Sequence, residues 1–188
     1  MEQYGRVYLQ EIKCSSFGKD NCYLLYVSND IECFENDARN NAGGIITIWR
    51  MSCFQITSSF NRSNYSVIED EWKVGSGIRG TIVNVYCSGS LRERKLLWDE
   101  IFEIRKLHKD MAWCIVGDFN TIRRKEERKN MISSSDYSRE ITCFNNFIQN
   151  SKLVDIPMVG RKFTWYKPNG SIKSIIDRVL VFRELLDV

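Results

Sequence analysis

Apolar and polar positions alternate in short blocks over the first 87 residues. Arg6–Glu11, Cys22–Ser28, Gly44–Trp49, Phe54–Asn61, Tyr65–Trp72 and Gly80–Cys87 are rich in Val, Ile, Tyr and Thr, with polar breaks between them. That pattern predicts strands. Gly43-Gly44 and Gly75-Ser76-Gly77 supply turn positions. The period then changes. Ser90 and Glu93 have the spacing of a capping box, in which each side chain satisfies the other's backbone amide at a helix start. Behind it Leu97, Ile101, Ile104 and Leu107 recur at helical spacing, predicting a helix over 91–108 with one buried face. Ala112–Gly117 reads as a short, fully apolar strand, followed by a charged loop over 121–136. Ile141, Phe144 and Ile148 mark a second helix over 137–151. Lys162–Tyr166 and Ile172–Val181 read as strands joined by the tight-turn sequence Lys167-Pro168-Asn169-Gly170. Strands, helix, strand, helix, hairpin, with no repeat or linker, predict one α/β domain over 1–188, with mixed sheets and flanking helices.

Composition agrees with a packed domain. Apolar residues make up 43% of the 188, with five Trp, eight Tyr, ten Phe and only two Pro, which excludes a disordered or fibrous chain. No apolar run reaches the roughly 18 residues of a membrane helix, and the N-terminus lacks the pattern of a signal peptide. The expected location is therefore nuclear or cytoplasmic, not secreted and not at a membrane. Seven cysteines, an odd number without C-x-x-C spacing, point to reduced thiols. With His108 as the sole histidine and no fitting ligand spacing, a structural zinc site is not expected. The formal net charge is +3, unevenly spread. Residues 1–60 carry five basic and seven acidic side chains and the remainder 22 and 17, a basic lean compatible with a polyanionic partner.

The candidate chemistry lies in Trp113-Cys-Ile-Val-Gly-Asp-Phe-Asn120, an apolar strand that runs into Gly117 and then Asp118 and Asn120. On extended backbone these two point the same way and Phe119 the other. A carboxylate and an amide so placed suit a hard cation, a water or a phosphate oxygen. Taken alone, the same residues suit a turn or a helix cap equally well.

Around this motif the chain resembles the endonuclease/exonuclease/phosphatase (DNase I-like) superfamily, and within it the endonuclease domains of plant LINE-type non-LTR retrotransposons. Leu9-Gln-Glu-Ile12, Val83-Asn-Val-Tyr86, Gly117-Asp-Phe-Asn120 and Ser174-Ile-Ile-Asp-Arg-Val179 follow that family's order, and Gly160-Arg-Lys-Phe-Thr-Trp165 is similar to a segment of the plant elements. The resemblance implies a four-layer α/β sandwich of two mixed sheets flanked by helices. It also implies Mg²⁺-dependent phosphodiester hydrolysis (Mn²⁺ as a substitute), with DNA as the partner of a monomeric domain and a reverse transcriptase elsewhere in the full product.

By the same resemblance, Glu11 is the metal-binding glutamate and Tyr86 contacts the scissile phosphate. Asp118 orients or deprotonates the attacking water, Asn120 stabilises the phosphate, and Asp177 supports the site. Arg123, Arg124 and Lys125, in the charged loop, and Trp165 are candidate nucleic-acid contacts. Plainer roles are a solvated strand-end carboxylate for Glu11, core packing for Tyr86 and Trp165, and a solvated loop for 123–129.

The match has departures. Ile175 stands where the family pattern has an arginine, and His108 is expected at the surface, away from the chemistry. The family's first strand with its asparagine, and its final Asp-His pair, have no counterpart, so the resemblance implies a domain truncated at both ends. The expected function is thus a retrotransposon-derived DNA endonuclease. A second reading is a catalytically dead remnant that at most binds nucleic acid, and a weaker third is a phosphoesterase acting on small phosphates.

Overall fold

A computed structural model describes residues 5–12, 18, 21–23, 28–36, 44–72, 79–87, 89–108, 111–130 and 135–182. The chain divides into two compact units, one of residues 1–86 with 110–117, the other of residues 87–109 with 118–188.

In the first unit, β1 (Arg6–Ile12), β2 (Ile31–Asn36) and β3 (Gly44–Arg50) form an antiparallel sheet in the order β1-β3-β2. The central β3, Gly-Ile-Ile-Thr-Ile-Trp-Arg, is buried up to Trp49, as a strand covered on both faces should be. Next come β4 (Phe54–Asn61), β5 (Tyr65–Trp72), β6 (Arg79–Tyr86) and β7 (Ala112–Asp118), neighbours in that order. The Ser- and Thr-rich β4 is largely exposed along one edge, whereas β6 is buried from Gly80 to Val85. β4, β5 and β6 pair antiparallel. β6 reaches β7 through a helix instead of a hairpin, and the sheets are mixed. The Arg6 guanidinium is ion-paired with the buried Asp70 and lies 3.5 Å over the Phe54 ring.

In the second unit, α1 (Leu91–Leu107) starts at the capping box that Ser90 and Glu93 predict. Its buried face is Arg94, Leu97, Trp98 and Ile101. Ile104 is half-buried and Leu107 is 81% exposed, so the apolar stripe expected from Leu97 to Leu107 reaches solvent at its end. The Arg94 guanidinium bonds Gly89 O and reaches Glu140 at 2.8 Å on α2 (Ser135–Asn150). Trp98 packs on Phe144 and Phe147 at 5.1 and 5.5 Å, and Phe144 on Phe119 at 5.2 Å, forming an aromatic core. β8 (Arg128–Lys129), β10 (Trp165–Tyr166) and β11 (Lys173–Ser174) form a small antiparallel sheet, and β9 (Leu153–Ile156) pairs with β12 (Asp177–Phe182).

Several expectations need correction. Residues 21–23 of the strand expected at Cys22–Ser28 are helical, with 24–27 outside the described residues, and the strand of this region is β2. The hairpin strands are shorter than expected, because Ile175 and Ile176 leave the ladder and separate β11 from β12. β8 forms inside the charged loop, and β9 was not expected. The turns at Gly43 and at Gly75-Ser76-Gly77 lie outside the described residues. Among the described residues no helix is long and apolar enough to cross a membrane.

Candidate active site

Glu11 owes its position to an irregularity. β1 pairs with β3 in register up to Leu9 opposite Ile46, then slips so that Ile12 opposes Gly44. Glu11 lies in this slip, exposed, with φ of +56°. A left-handed conformation is costly for a residue with a Cβ and persists only where its surroundings hold it. Such bulges turn a side chain out of the regular alternation. The residue before it is anchored. Gln10 Nε2 donates to Asn84 Oδ1 at 2.6 Å, while Asn84 Nδ2 donates to Ile46 O and Thr47 Oγ1, both at 3.1 Å. Asn84 is 1% exposed, so these bonds answer the desolvation of its amide and tie β1, β3 and β6 together. An Asn within the apolar run Thr81–Val85 is the sequence signal for this role, and Asn84 is not among the expected site residues. Tyr86 ends β6, half-buried, with its backbone N–H on Asn64 O at 2.9 Å.

At the end of β7, Gly117 has φ of +135°, and a Cβ there would lie 2.1 Å from Val85 O. Only glycine lets the two backbones approach this closely. Asp118 follows and is nearly buried. Its carbonyl accepts Cys87 N–H and its Oδ1 accepts Asn120 N–H, each at 2.7 Å. The expected extended alternation stops here. Asn120 is left-handed, with φ of +46°, and exposed, so Asp118 and Asn120 are joined by an Asx turn instead of lying side by side on a strand. Phe119 is fully buried, as expected of the residue between them.

This turn is fastened to the Asp177 segment. Phe119 N–H donates to Ile176 O at 2.9 Å, and the N–H groups of Ile176 and Asp177 both donate to Thr164 Oγ1, at 3.0 and 3.1 Å. Within the second unit the backbone of the Asp118–Asn120 turn is thus bonded to that of the segment leading into Asp177. Asp177 is half-buried and lines a cavity of about 370 Å³, with Arg123, Asp155, Arg161, Lys162 and Arg178 also in its wall.

Burial pushes the Cys87 thiol up to about 12, and the Asp118 carboxylate adds to the rise. Arg123 is committed within the fold, its guanidinium on Asn145 Oδ1 at 3.0 Å and Asp155 Oδ2 at 2.9 Å. The Arg178 guanidinium completes this network with Asp155, at 2.8 Å, and Glu127. Arg124 and Lys125 are exposed and Trp165 is half-buried. Ile175, where the family pattern has an arginine, is half-buried with its N–H on Glu127 O. His108 is the half-buried C-cap of α1.

The sequence matches no family model and no curated protein. Solved structures do match. An AP endonuclease from Leishmania major superposes with a TM-score of 0.72 at 16% identity, covering 99% of this chain and 72% of that one. The APE2 catalytic domain from Xenopus laevis gives 0.71 at 15%, over 97% and 75%. The endonuclease domain of TRAS1, a telomere-specific non-LTR retrotransposon, gives 0.61 at 14%, over 86% and 71%. The chain therefore has the α/β fold of the endonuclease/exonuclease/phosphatase, DNase I-like proteins.

Proposed function

We propose that this chain is a Mg²⁺-dependent phosphodiesterase that nicks DNA. The observation that carries the proposal is the Asx turn at Asp118, fastened through Phe119 and Ile176 to the Asp177 segment at the end of a buried strand. A water-activating carboxylate needs a position defined to a fraction of an ångström, and a turn with its own backbone bonds supplies it. The likeness to an AP endonuclease and to a retrotransposon endonuclease supports DNA as the polymer cut. The TRAS1 likeness also supports descent from a mobile element whose full product carries a reverse transcriptase.

In this reading Asp118 accepts the proton of the attacking water. Asn120 and Tyr86 donate hydrogen bonds to the phosphate as negative charge grows on its oxygens. Glu11 is the carboxylate for the cation, with Asp177 in support. The donors are carboxylate and amide oxygens, the set a hard cation such as Mg²⁺ takes, and the left-handed, outward-turned Glu11 fits such a ligand. When bound, the cation supplies charge neutralisation at a non-bridging phosphate oxygen.

The test is relaxation of supercoiled plasmid in Mg²⁺ by the protein and by Asp118→Ala. Nicking by the protein that drops by about 10²-fold or more in the variant supports the reading. Equal nicking by both, or none by either, overturns the reading.

A further inference from the structure

A second cluster of ligand-type side chains lies in the first unit, built from elements the proposed hydrolysis does not use. Cys33 and Glu35 are two apart on β2 and so share a face of that strand. Cys22, on the helical turn 21–23, is fully buried. The two Sγ atoms and a Glu35 carboxylate oxygen all lie within 4.8 Å of one another, with Cys33 Sγ at 4.0 Å from Glu35 Oε1.

We propose that Cys22, Cys33 and Glu35 form a binding site for a soft divalent cation, Zn²⁺ by its chemistry. Two thiolates and a carboxylate are three of the four ligands of a tetrahedral zinc ion, and their separations suit metal–ligand bonds of about 2.0–2.3 Å. The half-buried sides of Cys33 and Glu35 leave the fourth position to water. Ile31, Ile46 and Ile48 pack in the same core cluster as Cys22, with Val7 and Leu9 against it, and this apolar wall limits competition from solvent. The β2 end of the site is pinned from outside. Asn61 Nδ2 donates to Glu35 O at 2.7 Å, and Asn36 Nδ2 donates to Tyr65 O at 3.2 Å. Two ligands are therefore fixed on a paired strand and the third comes from the turn, so the ion fastens residues 21–23 onto β2. Linear motif spacing misses such a site, because 22, 33 and 35 match no C-x-x-C pattern.

Thiolate donors separate this site from any that holds Mg²⁺, which takes hard oxygen ligands. The test is accordingly run on the full chain, reduced with a phosphine, in excess Mg²⁺. Cd²⁺ is titrated while the ultraviolet sulfur-to-cadmium charge-transfer absorbance is read, and bound Zn²⁺ is counted after dialysis. One equivalent of metal is expected, with the thiolate band absent in Cys33→Ser and affinity weakened at least about tenfold in Glu35→Gln. Cys143→Ser, on α2, should bind as the parent does. Zn²⁺ should also raise the melting temperature of the parent and not of Cys33→Ser. Absence of the band in the parent, or a band unchanged in Cys33→Ser, overturns the proposal. None of these readouts uses DNA cleavage, so the assignment stands or falls apart from the hydrolase reading.

Discussion

The side-chain amide of Gln10 donates to that of Asn84 at 2.6 Å, and Asn84 spends its own two donors on β3. Every polar group of this fully buried amide is thus used to hold the strand that carries Glu11. Asn84→Ala strands the Gln10 donor and two β3 acceptors in a buried setting. A loss of about 2 kcal/mol is expected, since each buried unsatisfied group costs roughly 1–3 kcal/mol. A urea midpoint unchanged from the parent contradicts the clamp.

Glu11 sits in a conformation that favours glycine, so Glu11→Gly separates strain from chemistry. Stability should hold or rise by up to about 1 kcal/mol, because relief of a left-handed backbone offsets the added chain entropy. DNA nicking should fall by about 10²-fold or more. Chemical denaturation and plasmid relaxation read the two effects. A large stability loss contradicts the idea that the backbone is held there for the carboxylate.

Gly117→Ala places a methyl group 2.1 Å from the Val85 carbonyl oxygen, at a φ of +135°. The methyl carbon is fixed by its own backbone and the carbonyl oxygen belongs to the backbone of Val85, so neither can swing away. The expected cost is above about 3 kcal/mol, seen as a collapse of soluble yield or of melting temperature. A variant that melts with the parent shows that β6 and β7 can separate.

These positions also mark what the chain made legible. Apolar blocks located β3 to β7, and Ser90 with Glu93 located the start of α1, because local chemistry decides those elements. β2 stayed hidden because Glu32, Cys33, Glu35 and Asn36 dilute its apolar pattern, and its place is decided by pairing with β3. β8 is two residues long, and its partner Lys173-Ser174 is 44 positions away from it in sequence, so nothing local announces it. At the site, Asp118 was marked by the apolar strand that ends on it. The slip at Glu11, the Gln10–Asn84 clamp and the Asx turn depend on contacts made only once the chain is folded. Arg123 reads as a loop cation, yet Asn145 and Asp155 take its guanidinium.

Cys87 offers a pH signature. Its thiol rises from 9.0 to about 12, first through burial and then through the Asp118 carboxylate. The folded state therefore keeps its proton where the unfolded chain has lost it. This contribution to stability is whole below pH 9 and declines as pH rises from 9 towards 12. A Cys87→Ala variant should lose less stability over that window than the parent. In the native parent at neutral pH, Cys87 should resist a thiol-labelling reagent until denaturant is added, as mass spectrometry of its peptide would reveal. Rapid native labelling contradicts this burial.

The division of labour between Glu11 and Asp118 is tested most directly by the rate of plasmid nicking as Mg²⁺ is varied. Glu11→Gln should need at least about tenfold more Mg²⁺ for half-maximal rate, as expected of a lost metal contact. Asp118→Asn, which keeps an oxygen to accept the Asn120 N–H, should saturate at the parent's Mg²⁺ level with a maximal rate lower by about 10²-fold or more. Parent-like curves for both variants would contradict the assignment of the cation to one carboxylate and the water to the other.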